Sequence, residues 1–314
     1  TNQLANGILQ KDFDELLLSE EKPFFNRALR GRYPPASSIK PAIAMYGIEE
    51  GLIDWNFSIF DEGFFTLPED GRIYRDWKEG GHGDTNLFKA ITQSSNTYFF
   101  DLAYRSDINQ LNKHLSSLGF GDKACIDCFE EDQVFVPEPS WKMNKHNFGW
   151  FKGDTVNMGV GQGYLVSTPI QLAKYAYIMA NKGKFSDLSL KKDLVKSEKS
   201  IEFNKFSNDD WFKLHESMVN VIEGNTGTAR RLREKKNYIV AAKTGTAELV
   251  SGDNREQYSE TRLDDSLRDH ALIIAFGPMP NPRYAVSVVV ENGESGGSVA
   301  GPVAISVLNS LIQE

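Results

Sequence analysis

An α+β fold, an antiparallel sheet flanked by helices with an all-helical lobe beside it, is what this chain of 314 residues predicts. Two observations carry that reading. Apolar residues recur at helical spacing through the earlier part of the chain, and the final part changes period. There, Tyr238–Ala242, Ala271–Phe276 and Tyr284–Glu291 are β-branched or continuously apolar runs, the last two joined by a hairpin-like connection over Gly277–Pro282. Helices preceding a late cluster of strands indicate segregated layers, with the helix after Ser37 lying between sheet and lobe.

Each element has its own signal. Phe13, Leu16 and Leu17 give a short helical pattern, and Pro34-Pro35 then break the chain. From Ser37 to Glu50, residues Ile39, Ala42, Ile43, Met45 and Tyr46 recur at helical spacing, with Gly51 as a cap. Asp54–Thr85 is dense in Gly, Asp and aromatic residues, which predicts loops and short hairpins. Asn86–Tyr104 reads as helical through Leu87, Ala90, Ile91, Tyr98, Phe99 and Leu102; Ile108–Leu118 is a further helix stopped by Gly119. Gly121–Gly153 is polar, contains proline and reads as a long loop. Thr168 caps a helix that has Pro169 at its first position and runs to Ala180. Trp211–Val221 and Val303–Ile312 complete the helices.

Composition narrows the class. Hydrophobic residues make up 40% and charged residues 25%, ordinary globular usage that excludes a disordered chain. A net charge of −8 without a Lys/Arg stripe argues against a nucleic-acid partner. No apolar run approaches the ~20 residues that cross a bilayer, and no signal peptide is visible. The chain opens abruptly at Thr1 in a polar stretch, so it is expected to be a piece of something longer. Cys125 and Cys128 form a Cys-x-x-Cys without the βαβ setting of a redox dithiol or a second ligand pair for zinc. A local surface disulfide or two ordinary thiols is the reading.

Three short motifs, in order, carry the chemistry: Ser37-Ser38-Ile39-Lys40, Ser94-Ser95-Asn96 and Lys243-Thr244-Gly245-Thr246. A Ser-x-x-Lys alone is expected roughly once by chance in such a chain, so the order and context matter more than any one match. A serine hydroxyl needs an adjacent base, and Lys40, three residues on, shares a helical face with Ser37. Pro41 has no N–H, which deprives the Ser37 carbonyl of its usual helical partner. Ser94 and Asn96 suit a turn between helices, where Ser94 relays a proton from Lys40 and Asn96 bonds a substrate amide. Lys243 adds positive charge, Thr244 and Thr246 bind a peptide carboxylate, and Gly245 admits its backbone close to the strand. The Thr246 and Ser37 N–H groups together make an oxyanion hole.

These triplets, with Tyr33-Pro34-Pro35, Tyr74-Arg75-Asp76-Trp77-Lys78, Gly81-His82-Gly83, Gly161-Gln162-Gly163-Tyr164, Gly227-Thr228-Ala229, Leu267-Arg268-Asp269-His270 and Glu291-Asn292-Gly293, resemble the transpeptidase domain of class B penicillin-binding proteins. The elongation-specific penicillin-binding protein 2 group is the most similar. The resemblance implies a penicillin-binding protein/serine β-lactamase-like fold, with residues 1–314 as one transpeptidase domain of two lobes and the site between them. It implies a D,D-transpeptidase: Ser37 attacks the D-Ala-D-Ala bond of a stem peptide, an amine of a neighbouring stem resolves the acyl-enzyme, and β-lactams trap Ser37. It implies a periplasmic protein with an upstream pedestal domain and inner-membrane anchor, working with a membrane glycosyltransferase and elongation-complex proteins. One strand of the family's sheet is then expected to lie outside this chain.

No cofactor is required by that chemistry. Some members of the group share a zinc site of two aspartates, a histidine and a cysteine; Asp61, Asp76 and His82 fall at the first three positions and Ser95 at the fourth. Serine is a poor zinc ligand, so a hydrogen-bonded loop staple is expected, with zinc as the alternative. Among rivals, a serine β-lactamase would need a water-activating glutamate. Glu138-Pro139 lies in the right interval, yet Lys142 stands where a water-holding asparagine would belong. A D,D-carboxypeptidase and a non-catalytic β-lactam sensor or wall-binding scaffold are the remaining alternatives.

Overall fold

Proline placement decides where the first buried helix begins in the computed structural model, which describes residues 6–194, 197–249 and 267–312. After two exposed helices, α1 (Gln10–Leu18) and α2 (Arg27–Arg30), the chain enters a 3₁₀ turn over Ala36–Ile39. The turn hands over to α3 (Lys40–Glu49), where Pro41 sits in the first turn and sacrifices no helical donor. Every residue of α3 from Lys40 to Ile48 is buried, which marks it as the central helix of the larger core.

The turn-rich segment that follows forms two small antiparallel ribbons. β1 (Ser58–Asp61) pairs with β4 (Gly83–Asn86), and β2 (Phe64–Thr66) with β3 (Ile73–Arg75). The expected single run from Asn86 to Tyr104 is two helices, α4 (Leu87–Gln93) and α5 (Asn96–Arg105). Ser94 takes a left-handed φ of 60° and breaks the run, and the Ser95 hydroxyl caps α5 by accepting from Tyr98 N–H. α6 (Ile108–Ser117) follows as read. The expected loop over Gly121–Gly153 holds a helix, α7 (Pro139–His146), pinned to α8 (Lys152–Gly159) by Lys142 Nζ at 2.5 Å from Asp154 Oδ2. Cys125 and Cys128 are disulfide-bonded, and the pair is buried rather than on the surface.

α9 (Pro169–Ala180) has the predicted cap: the Thr168 hydroxyl accepts from Gln171 N–H while Gln171 Oε1 accepts from Thr168 N–H. A two-residue ribbon, β5 (Lys184–Phe185) with β6 (Lys199–Ser200), leads to α10 (Asn208–Glu223). The main sheet, in the order β7 (Ala241–Ala247), β8 (His270–Gly277), β9 (Tyr284–Val290), is antiparallel throughout. α11 (Gly301–Ile312) closes the chain against it.

Side-chain alternation along β8 ties the layers together. Leu272, Ile274 and Phe276 enter the helical core around α3; Ala271, Ile273 and Ala275 pack with Ala304, Ile305 and Leu308 of α11. Both faces of the sheet are thus covered by helices. β7 also runs further than the apolar signal at Tyr238–Ala242 predicts, so Lys243–Thr246 lies inside the strand rather than after it. Lysine and glycine are weak strand formers, and register with the buried β8 overrides them.

Candidate active site

A strained corner presents the first motif. Ala36 adopts a φ of 50°, held by its N–H donating to Gly161 O at 2.8 Å. Gly161 lies so close that an added Cβ would sit 2.2 Å from Ala36 O, and its own φ is 72°, so no side chain fits there. Ser38 Oγ donates to Pro35 O at 2.5 Å, and the Lys40 N–H returns to Ser37 O, supplying the partner that Pro41 cannot. Ser37 is thereby left half-buried between fully buried neighbours.

Lys40 is wholly buried. Its ammonium donates to Ser94 O at 2.7 Å, Ser94 Oγ at 3.3 Å and Asn96 Oδ1 at 2.6 Å. Desolvation lowers its pKa from 10.5 to about 7, against the opposing pull of Asp76 and Asp61. Lys243, also wholly buried, donates to Ser94 Oγ at 2.8 Å and to Thr244 O at 3.1 Å. Burial, then repulsion from Lys40, drives its pKa well below the usual value. Two lysines thus converge on one hydroxyl. Among the described residues, Ser37 Oγ is not a hydrogen-bond partner of Lys40, whose three donors are already taken. Deprotonation of the amine would free a lone pair for it.

β7 passes directly behind the serine turn. A Cβ at Gly245 would meet Pro35 O at 3.2 Å and Ser38 N at 3.3 Å. On the strand's unpaired edge, Gln162 Nε2 donates to Thr246 O at 3.1 Å. A strand residue directs its N–H and C=O to the same side, so the Thr246 N–H also faces that open edge. Thr244 Oγ1 shares a 2.7 Å hydrogen bond with Thr228 Oγ1. Gln162 and Thr228 carry no role in the sequence reading, although their tripeptides stand out in it. Trp77 is a third such residue: its indole N–H reaches Gln93 O and Ser94 O, each at 3.2 Å. Glu138, the residue a β-lactamase reading would use, opens α7, bonds Ser140 Oγ and makes no hydrogen bond to this cluster.

Beneath Ser94–Asn96, Asp61, Asp76 and His82 bring their ligand atoms within 4.8 Å of one another, all buried. Each carboxylate is satisfied by the protein itself. Asp61 accepts from Ser95 Oγ at 2.7 Å and Gly63 N–H at 2.8 Å; Asp76 accepts from the N–H groups of Asn96 at 2.5 Å and Thr97 at 2.9 Å. His82 Nδ1 contacts Gln93 Oε1 at 3.0 Å, while its buried Nε2 lies 3.3 Å from Asp76 Oδ1 without a well-formed hydrogen bond. That nitrogen is the one feature inviting a cation. The set does not fit a closed zinc tetrad, because its fourth position is a neutral hydroxyl, Ser95, held by Asp61 and Tyr98 N–H, where zinc prefers sulfur or nitrogen.

The family model described as the penicillin binding protein transpeptidase domain matches residues 4–309. The chain is 37% identical to the peptidoglycan D,D-transpeptidase MrdA of Haemophilus influenzae, over 100% of this chain and 49% of that protein. With MrdA of Acinetobacter baumannii the identity is 39%, over 95% and 45% respectively. The chain spans about half the length of these curated relatives. Pseudomonas aeruginosa PBP2, solved in complex with WCK 5153, superposes with a TM-score of 0.87 at 36% identity, covering 98% of this chain and 67% of that one. Helicobacter pylori PBP2 gives 0.83 at 30% identity, covering 99% and 55%. By fold and by sequence, the chain belongs to the penicillin-binding protein transpeptidase family, in its PBP2 group.

Proposed function

We propose that this chain is the catalytic domain of a peptidoglycan D,D-transpeptidase of cell elongation, working through an acyl-serine. The observation that carries the reading is the meeting of Lys40 and Lys243 on Ser94 Oγ beside the Ser37 turn. Neutral Lys40 takes the Ser37 proton as Oγ attacks the penultimate D-Ala carbonyl of a stem peptide. The Ser37 and Thr246 N–H groups hold the resulting oxyanion. Collapse of the tetrahedral species breaks the peptide bond, and D-alanine leaves with a proton returned through Ser94. An amine from a second stem then attacks the ester, gives up its proton by the same route and releases Ser37. Thr244 and Thr246 hydroxyls take the terminal carboxylate, and Asn96, with Oδ1 engaged by Lys40, offers its N–H₂ to a substrate carbonyl.

Incubation with benzylpenicillin followed by intact-mass measurement tests this. One adduct per chain is expected, mapping to the peptide containing Ser37, with negligible turnover of a chromogenic cephalosporin. Rapid multiple turnover would move the chain to the β-lactamases, and an adduct elsewhere would break the assignment.

The reaction needs no cofactor in this reading, and Asp61, Asp76 and His82 act as a staple under the Ser94–Asn96 loop. Elemental analysis should then find no stoichiometric zinc in the parent protein and about one zinc per chain in Ser95→Cys, where a thiolate completes the tetrad. Zinc retained by the parent would sink the staple. A Helicobacter pylori PBP2 has been solved in complex with MreC. That complex supports elongation-complex proteins as partners here. The same reading puts the protein in the periplasm, anchored to the inner membrane and working with a membrane glycosyltransferase.

A further inference from the structure

A cavity of about 730 Å³ lies between α6 and the segment leading into α7, outside the lysine cluster. Its walls mix two chemistries. Phe135 and Trp141 stand 5.0 Å apart between ring centroids, and Asn109, Asn112, Lys113 and Glu138 line the cavity with them. The walls are built rather than fluid. Asn112 Nδ2 donates to Pro137 O at 2.8 Å, joining the two sides, while its Oδ1 has no hydrogen-bond partner. Lys142, bound to Asp154, holds α7 in place from behind.

A line of contacts leads from the cavity wall toward the lysine cluster. Trp141 packs edge-on against Tyr164 at 5.3 Å, and two residues earlier Gln162 donates to Thr246 O on the open edge of β7. A continuous ridge therefore runs from the aromatic pair to the strand expected to hold the stem peptide. Sugars present apolar C–H faces that stack on aromatic rings, and hydroxyl and acetamido groups that pair with amides and carboxylates. A cavity in this size range with a few convergent polar groups is the form that small-ligand sites take.

We propose that this cavity is a glycan subsite that seats the N-acetylated sugar strand to which the stem peptide is attached. The assignment rests on the transpeptidase reading, because only a peptide carrying its own glycan would span the ridge from β7 to Trp141. It adds the sugar to what the site recognises and makes Trp141 a specificity residue, with Asn112 a positioning residue that holds the wall through Pro137 O.

The test uses the whole chain and two ligands. Titration calorimetry with the N-acetylglucosamine tetramer should show saturable binding, weakened at least about tenfold in Trp141→Ala and in Asn112→Ala and largely kept in Trp141→Phe. Benzylpenicillin acylation of Ser37 should be unchanged in all three, which shows that the fold and the catalytic centre survive. No saturable binding to the parent, or equal binding to Trp141→Ala, overturns the glycan subsite. So does a sugar-free stem pentapeptide that binds in its place and loses affinity in Trp141→Ala, since that marks a peptide subsite. Failure of acylation in the parent would instead strike the transpeptidase reading, so the two failures are separable.

Discussion

Lys40→Met should slow acylation of Ser37 by benzylpenicillin about a thousandfold, the scale of a lost general base, while its melting temperature holds or rises. Methionine fills similar volume, and an ammonium is expensive to keep where Lys40 is wholly buried. The Ser37→Ala protein, which should form no adduct, sets the floor of the measurement. In the parent, acylation should climb with pH up to about 7, where Lys40 loses its proton, and flatten above it. Stability carries the same signature. The folded pKa of Lys40 lies below its ordinary 10.5, so between about 7 and 10.5 the unfolded chain binds more protons and the fold gains stability as pH rises. Lys40→Met should lose the part of that slope due to Lys40 and keep the part due to Lys243, whose pKa burial also lowers. Acylation within tenfold of the parent would show that Lys40 is not the base.

The second large effect is expected at Asp76→Ala: a loss of roughly 3 kcal/mol in denaturant unfolding, typical of leaving buried donors and a buried charge without their partner. Burial alone would raise the Asp76 pKa; His82, the charge on Lys40 and the N–H groups of Thr97 and Lys78 hold it below its usual 3.8. The stability it contributes is therefore present above that value and is lost as pH falls through the depressed folded value. Its removal reaches the chemistry as well. Asn96 N–H loses its acceptor and Lys40 loses an attractive charge, so the pH limb of acylation should move to lower pH. An unshifted limb with unchanged stability would show Asp76 to be a bystander.

The parts legible in the sequence are those whose signal is local. Thr168 and Pro169 announce the start of α9 because cap and proline act within one turn. Ser37 and Lys40 are read as a pair because their spacing fixes them on one short segment. What stays hidden depends on distant partners. Gln162 reaches Thr246 across 84 residues, and Thr228 matters through Thr244 on another element. α7 lies inside a polar stretch because Lys142–Asp154 and ring contacts to Trp141 hold it, not its own periodicity. The length of β7 is set by its neighbour β8, so its Lys243–Thr246 half has no strand pattern to read.

The contact of Gly161 with Ala36 also bears on how such a protein escapes inhibitors. Any larger residue there would collide with the main chain that positions Ser37, so no substitution fits at that point. In the transpeptidase proposed above, variants that weaken inhibitor binding should therefore arise at positions other than Gly161.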